Sequence, residues 1–200
     1  MKTKIILFNG PPNAGKDAMA DACVAHFYED LYMNNEGDFG FPAIKRSFKT
    51  PMYRMLAEIY GLPLNRVLEL CRSRDLKDTF CEEFASTPRQ AMIFLSERVM
   101  KPNYGDDYFG RQAASGVKLG FVNFFADSGF LSETLPLFAK FGSANILLIH
   151  MHRENCTFEQ DSRDYLDIDS FINFYEFQNN EPIDVVTPEL FERVQEFVDA

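Results

Sequence analysis

Apolar residues along this chain alternate between short unbroken runs and stripes at helical spacing. Ile5-Ile6-Leu7-Phe8, between Lys4 and Asn9, has no polar face and is closed by a glycine-rich turn, the pattern of a strand buried on both sides of a parallel sheet. From Lys16 to about Tyr32 the spacing changes: Met19, Cys23, Phe27 and Leu31 recur every fourth residue on one helical face. A loop is expected at 33–40 and a second strand at Ala43–Phe48. Helices follow from Pro51 to Tyr60, where Gly61 ends the first, and from Leu64 to about Cys71. Residues 72–86 are charged and irregular in period, and read as helix and loop.

Thr87-Pro88-Arg89-Gln90 is a strong helix start, with an N-cap threonine, proline at the first helical position and glutamine three residues after the cap. Pro102 is expected to stop that helix, and Asp106 or Asp107 to open the next, which Gly116 and Gly120 end. Phe121–Ala126 and Asn145–His150 read as further strands, joined by a helix from Ser132 to Phe141. Ile183–Val186 reads as a last short strand. Thr187-Pro188 then starts a final helix with Leu190, Phe191, Val194, Phe197 and Val198 on one face. Strands alternating with helices predict an α/β fold, a three-layer α/β/α domain around a parallel sheet of about five strands.

Composition narrows the class. Two hundred residues support one such domain, and 46% hydrophobic with 25% charged residues excludes a disordered tail or a fibre. The net charge of −10 argues against sequence-independent attraction to DNA or anionic lipid, while leaving room for a local basic cleft. Cys23, Cys71, Cys81 and Cys156 have no paired spacing, as free thiols in a reducing compartment do. No apolar run approaches the roughly 18 residues of a membrane helix, so a cytoplasmic protein without a membrane partner is expected.

Gly10-Pro11-Pro12-Asn13-Ala14-Gly15-Lys16 has the G-x-x-x-x-G-K spacing of a phosphate-binding loop, between a strand and a helix. Glycines let the backbone curl so that successive N–H groups face a polyphosphate at the positive end of the helix. The lysine ammonium then reaches the β- and γ-phosphates. Gly10, Asn13, Ala14, Gly15, Lys16, Asp17 and Ala18 are therefore the expected ATP-binding residues. Asp17 stands where Ser or Thr usually coordinates Mg²⁺, and its carboxylate is the candidate metal ligand.

The Gly-Lys-Asp variant resembles the P-loop kinases of the bacteriophage deoxynucleoside monophosphate kinase type and, more distantly, phosphomevalonate kinases. Further stretches agree in order: Ser47–Arg54 after the second strand, Thr87–Gln90 leading to Tyr104–Phe109, Phe125–Phe130 at a strand end, and His152-Arg153 entering a lid. The resemblance covers residues 4 to about 165. It implies a single kinase domain over 1–200, with a helical substrate-binding insert across about 50–115 and a lid near 153–165. It further implies ATP and Mg²⁺ as cofactors and a nucleotide substrate. The chain equally resembles phage kinases that phosphorylate 5-hydroxymethyluracil in DNA. The acidic net charge favours a free deoxynucleoside monophosphate, with DNA a partner only under that alternative. A nucleotide-binding switch that transfers nothing is the reading from a different class.

Transfer of a phosphoryl group requires positive charge around it and in-line positioning. Lys16, Asp127, Arg153 and Arg163 are the catalytic candidates. Arg153 and Arg163 flank the polar stretch where nucleotide kinases carry a lid, against a plain solvated loop. Asp127, at a strand end, either holds Mg²⁺ through water or orients an acceptor, or simply caps a helix. Arg89 sits in the first turn of its helix, where a cation opposes the helix dipole, which points to an anionic ligand rather than a surface ion pair. Arg46, Lys49 and Arg54 are the other substrate-binding candidates. Tyr104, Tyr108 and Phe109 either stack on a base or pack in the core. His150 and His152 alternate like two metal ligands on one strand face, but no third ligand lies near them in sequence, so no metal site is expected there.

Overall fold

Strands β1 (Lys4–Asn9), β2 (Ala43–Arg46), β3 (Val122–Phe125), β4 (Ile146–His152) and β5 (Asn173–Gln178) form one parallel sheet in the spatial order β2-β3-β1-β4-β5. The structure is a computed structural model and describes residues 2–33, 42–159, 161 and 163–200. The loop expected at 33–40 lies almost wholly outside them. Central β1 is buried along its whole length, as its unbroken apolar run requires. Leu7 pairs with Phe125 and Asn9 with His150, so β1, β3 and β4 end together on one edge of the sheet.

The pleat sends alternate residues of β1 to two different cores. Ile6 and Phe8 pack with Met19, Cys23 and Phe27 of α1 (Lys16–Met33) and with Leu190 and Val194 of α8 (Ile183–Asp199). Ile5 and Leu7 pack with Ala113 of α6 (Tyr108–Gly116) and Leu137 of α7 (Leu131–Phe141) on the opposite face. The result is the expected three layers. A third apolar cluster, with Leu56, Val67, Leu95 and Phe109, joins α2 (Thr50–Tyr60), α3 (Leu64–Arg72) and α4 (Pro88–Ile93) beside the sheet. At the start of α4, the Gln90 amide donates to Thr87 Oγ1 at 3.2 Å and the Thr87 amide donates to Gln90 Oε1 at 3.1 Å, completing the capping box.

Two expected elements are corrected. Ile183–Val186 is not a strand but the first turn of α8, with the Val185 and Val186 amides donating to the Pro182 carbonyl. Val186, Leu190, Val194 and Phe197 form one helical stripe that runs straight past Pro188, whose ring removes a single backbone donor near the helix start. The fifth strand is instead Asn173–Gln178, an edge strand with only Phe177 fully buried, whose mixed polarity hid it from a search for apolar runs. Nor does Pro102 stop its helix. Residues Phe94–Met100 widen into a π-helical turn, and the chain continues as α5 (Lys101–Tyr104) with Pro102 at a position where its missing N–H is tolerated. Among the described residues, no helix is long and apolar enough to cross a membrane.

Candidate active site

The loop from Gly10 to Lys16 leaves the C-terminal end of β1 and wraps the start of α1. Asn13 and Gly15 take positive φ values of 66° and 90°, which turns successive N–H groups inward. Two glycines are needed on packing grounds as well: a Cβ on Gly10 would lie 2.5 Å from the Met151 carbonyl oxygen, and one on Gly15 would lie 2.3 Å from Asn179 Nδ2. The Ala14 amide donates to Pro11 and the Met19 amide to Gly15, closing the turn into the helix. Asp17 and Ala18 follow in the first helical turn, both exposed, where backbone N–H groups have no acceptor within the helix.

Lys16 is buried, and its ammonium donates to the Gly10 and Pro11 carbonyls at 2.6 Å each. Burial, and then the neighbouring Arg163 charge, push it down to about 8. Such a buried cation, crowded by Arg163 and Lys49 and partly offset by Asp17 and Asp161, is poised for an anion.

Arg163 is locked to Asp161, donating from Nε at 2.8 Å and from Nη2 at 2.6 Å. That pairing holds the Asp161 carboxyl at about 2. The Arg163 stem lies against Gly129, where a Cβ would meet Cδ at 2.4 Å. The ion pair leaves the Nη1 hydrogens of Arg163 to act elsewhere. Arg153 is exposed, with its Nη1 3.9 Å from where a Gly15 Cβ would sit. Both arginines of the polar segment therefore stand beside the loop.

Arg89 forks onto Asp78 in two hydrogen bonds, one of them from Nη2 at 3.1 Å, and the pair is about half exposed. Its charge is felt by Lys77 and Arg163 and by Asp161 across the cleft. Lys49 begins α2, and its charge reaches Lys16, Lys77 and Glu133. Arg163 and Lys49 thus act on Lys16, Lys49 and Arg89 on Lys77, and Arg89 on Arg163, a linked series of cations in a chain of net charge −10.

Other candidates are placed differently. Arg46 turns its Nε toward Asn123 Oδ1, at 3.5 Å, and Asn123 in turn bonds the Lys118 and Phe121 carbonyls that lead into β3. Arg46 therefore points along the sheet away from the phosphate loop. Arg54 is exposed on α2. Asp127 accepts from Ser47 Oγ at 2.6 Å, from the Phe48 amide at 3.1 Å and from the Lys49 amide at 3.3 Å. Its carboxylate organises the turn that presents Lys49. Asp17 pairs with Lys45 at 2.9 Å and is 84% exposed, so this bond to a surface lysine is cheap to exchange for a cation. Among the aromatic candidates, Phe109 is buried in the third core cluster, whereas Tyr104 is exposed.

No protein-family model matches this sequence, and no curated protein does either. Solved structures do. A cysteine-to-alanine mutant of the APS kinase CysC of Mycobacterium tuberculosis is similar at 10% identity and a TM-score of 0.47, over 97% of this chain and 98% of that one. A gluconokinase from Sinorhizobium meliloti 1021 is similar at 10% identity and a TM-score of 0.45, over 98% of this chain and 94% of that one.

Four residues of the site escaped the sequence reading. Asn179, after β5, is buried, donates from Nδ2 to the Ala14 carbonyl at 2.7 Å and donates its amide to the His152 carbonyl at 2.8 Å. Asn9 ends β1 and ties three segments together, donating to Ser128 and Asp164 carbonyls and accepting from the Leu166 amide. Lys77 lies in the charged stretch without period. Glu133, in the first turn of α7, is pushed up to about 7 by burial and then by the Asp127 charge. Only Asn9 carried a signal, a polar residue closing an apolar strand.

Proposed function

We propose that this chain is an ATP-dependent kinase that moves the γ-phosphoryl group to a free deoxynucleoside monophosphate. The observation that carries the reading is that Arg163 and Lys49 both bear on Lys16, with Arg89 bearing in turn on Arg163 and Lys77, in an otherwise acidic protein. Such a cluster suits two anionic groups brought together, a polyphosphate on the loop and a phosphate monoester opposite it.

In this reading the inward N–H groups of Gly10–Lys16 hold the β- and γ-phosphates, and Lys16 leaves its two carbonyl partners for the bridging oxygen. The acceptor oxygen bonds to the γ-phosphorus as the bond from phosphorus to the β–γ bridging oxygen breaks, and ADP departs with that electron pair. Arg163, fixed by Asp161, offers its Nη1 hydrogens to the group in transit. Arg89 exchanges its half-exposed bond to Asp78 for the acceptor phosphate. Mg²⁺ neutralises charge on the phosphates when bound, and Asp17 is the carboxylate that would hold it.

The engagement of Asp127 by three donors favours a phosphate acceptor over a hydroxyl. A phosphate monoester oxygen is already anionic at neutral pH and needs no base, whereas the hydroxyl of hydroxymethyluracil in DNA does.

Salt separates these acceptors. The KM for dTMP or dCMP should change little between roughly 50 and 200 mM salt, whereas a duplex DNA substrate would show a log K slope of about −0.9 per phosphate contact. Arg89→Ala should raise the acceptor KM far more than the ATP KM. Steeply salt-dependent binding of hydroxymethyluracil DNA, without turnover of any deoxynucleoside monophosphate, would overturn the proposal. Binding of ATP with no transfer to either acceptor would leave a nucleotide-binding switch.

A further inference from the structure

We propose that His150, His152 and Glu176 form a transition-metal site of the zinc class, separate from the phosphate loop. The two histidines are two residues apart on β4 and share one face of the sheet. Strand β5 supplies what the sequence around them lacks. Glu176 is the register partner of His150 in the parallel ladder, so its side chain leaves the same face beside both rings. One ligand atom from each of the three lies within 4.8 Å of the other two.

The imidazoles are set up as ligands in different ways. His152 meets Glu176 through Nε2, while its Nδ1 lies 2.9 Å from the Tyr165 hydroxyl, which reaches the Met151 carbonyl at 3.1 Å. A metal on Nε2 places the ring proton on Nδ1. The Tyr165 oxygen then accepts a hydrogen bond from Nδ1–H while its own hydroxyl donates to the Met151 carbonyl, so the second nitrogen is satisfied without rearrangement. Ligating histidines regularly have their other nitrogen anchored in this way.

His150 is buried, yet its Nε2 has no hydrogen-bond partner among the described residues. Its Nδ1 stands 3.6 Å from Glu176 Oε1, beyond hydrogen-bond length. A buried Nδ1 whose partner lies beyond hydrogen-bond length is costly, and a cation between it and the carboxylate removes that cost. Tetrahedral coordination at about 2.0–2.1 Å puts ligand atoms roughly 3.3 Å apart. The Glu176 side chain is 51% exposed and can swing to reach that spacing.

Two imidazole nitrogens and one carboxylate oxygen suit zinc-class ions, while Mg²⁺ prefers oxygen alone. Three protein ligands leave the fourth position to water. The site also bears on the phosphate loop through backbone, because the His152 carbonyl accepts from Asn179 and Asn179 holds Ala14. A metal here would brace the two strand ends from which Asn179 grips the loop.

The test is titration of the full-length, chelator-treated, nucleotide-free protein with Zn²⁺ against a chromogenic indicator, with Co²⁺ absorption as a second readout. The expected result is one equivalent of Zn²⁺, and affinity at least about tenfold weaker in both Glu176→Gln and His152→Ala. Tyr165→Phe, which removes only the partner of Nδ1, should weaken it by about 10–100-fold. His26→Ala should bind as the unmodified chain does, and the Co²⁺ spectrum should lack a thiolate charge-transfer band. Glu176 is exposed and Gln nearly isosteric, so that variant keeps the test informative if His152→Ala folds poorly. The proposal fails if the unmodified chain takes up no stoichiometric Zn²⁺, if Glu176→Gln binds with unchanged affinity, or if a thiolate band places the metal on cysteine.

Discussion

Asn179 donates its side-chain amide to the Ala14 carbonyl at 2.7 Å, joining the turn after the edge strand to the middle of the phosphate loop. Both residues are buried, so no water replaces this bond if it is lost. Asn179→Ala should strand the Ala14 oxygen at a cost of about 1–3 kcal/mol. The loop should loosen with it, raising the ATP KM about tenfold or more while leaving the acceptor KM nearly unchanged. Denaturant unfolding together with initial rates at varied ATP checks both effects.

Glu133 gives a pH signature. Burial pushes its carboxyl up to about 7 from the ordinary 4.5, so between those values the native state keeps a proton that the unfolded chain has released. Stability is therefore fully present below about 4.5 and falls as pH rises through 7, by on the order of 3 kcal/mol. Glu133→Gln should remove that slope, leaving the variant more stable than the unmodified protein at pH 8 but not at pH 4.5. Unfolding free energies at the two pH values decide it, and parallel losses in both proteins would contradict the burial argument.

How much of this was legible in the sequence differs by element. The strand, tight loop and helix around Gly10–Lys16 were, because their signal is local: the glycine spacing, the preceding apolar run and the following helical stripe lie within about thirty residues. The capping box at Thr87 was legible for the same reason. Strand β5 was not, since a strand at the sheet edge with one buried face residue carries no apolar run, and the Asn179 clamp was lost with it. Pro188 and Pro102 misled because proline costs little near a helix start or after a widened turn. The Asp127 carboxylate illustrates a third kind of limit. Its place at a strand end was readable, but its three donors at Ser47, Phe48 and Lys49 come from about eighty residues away.

Asp17 is tested through metal demand. Its exposed bond to Lys45 contributes less than about 1 kcal/mol, so Asp17→Ala should fold normally. If the carboxylate serves Mg²⁺, that variant should need several-fold more Mg²⁺ for half-maximal rate, and Asp17→Ser should largely restore the original requirement. Identical Mg²⁺ curves for all three proteins would reduce Asp17 to a partner of Lys45.

The most direct measurement of the central claim is transfer of label from γ-radiolabelled ATP to each deoxynucleoside monophosphate, by the unmodified chain and by Lys16→Ala in parallel. Among the described residues Lys16 is the cation that donates to the loop's own carbonyls, and in the proposed reading its charge meets the breaking β–γ bridge. The account predicts labelled diphosphate from at least one acceptor, and a rate several orders of magnitude lower in a Lys16→Ala protein that unfolds at a similar temperature. Equal transfer by the two folded proteins, or no label on any acceptor with the unmodified chain, would contradict it.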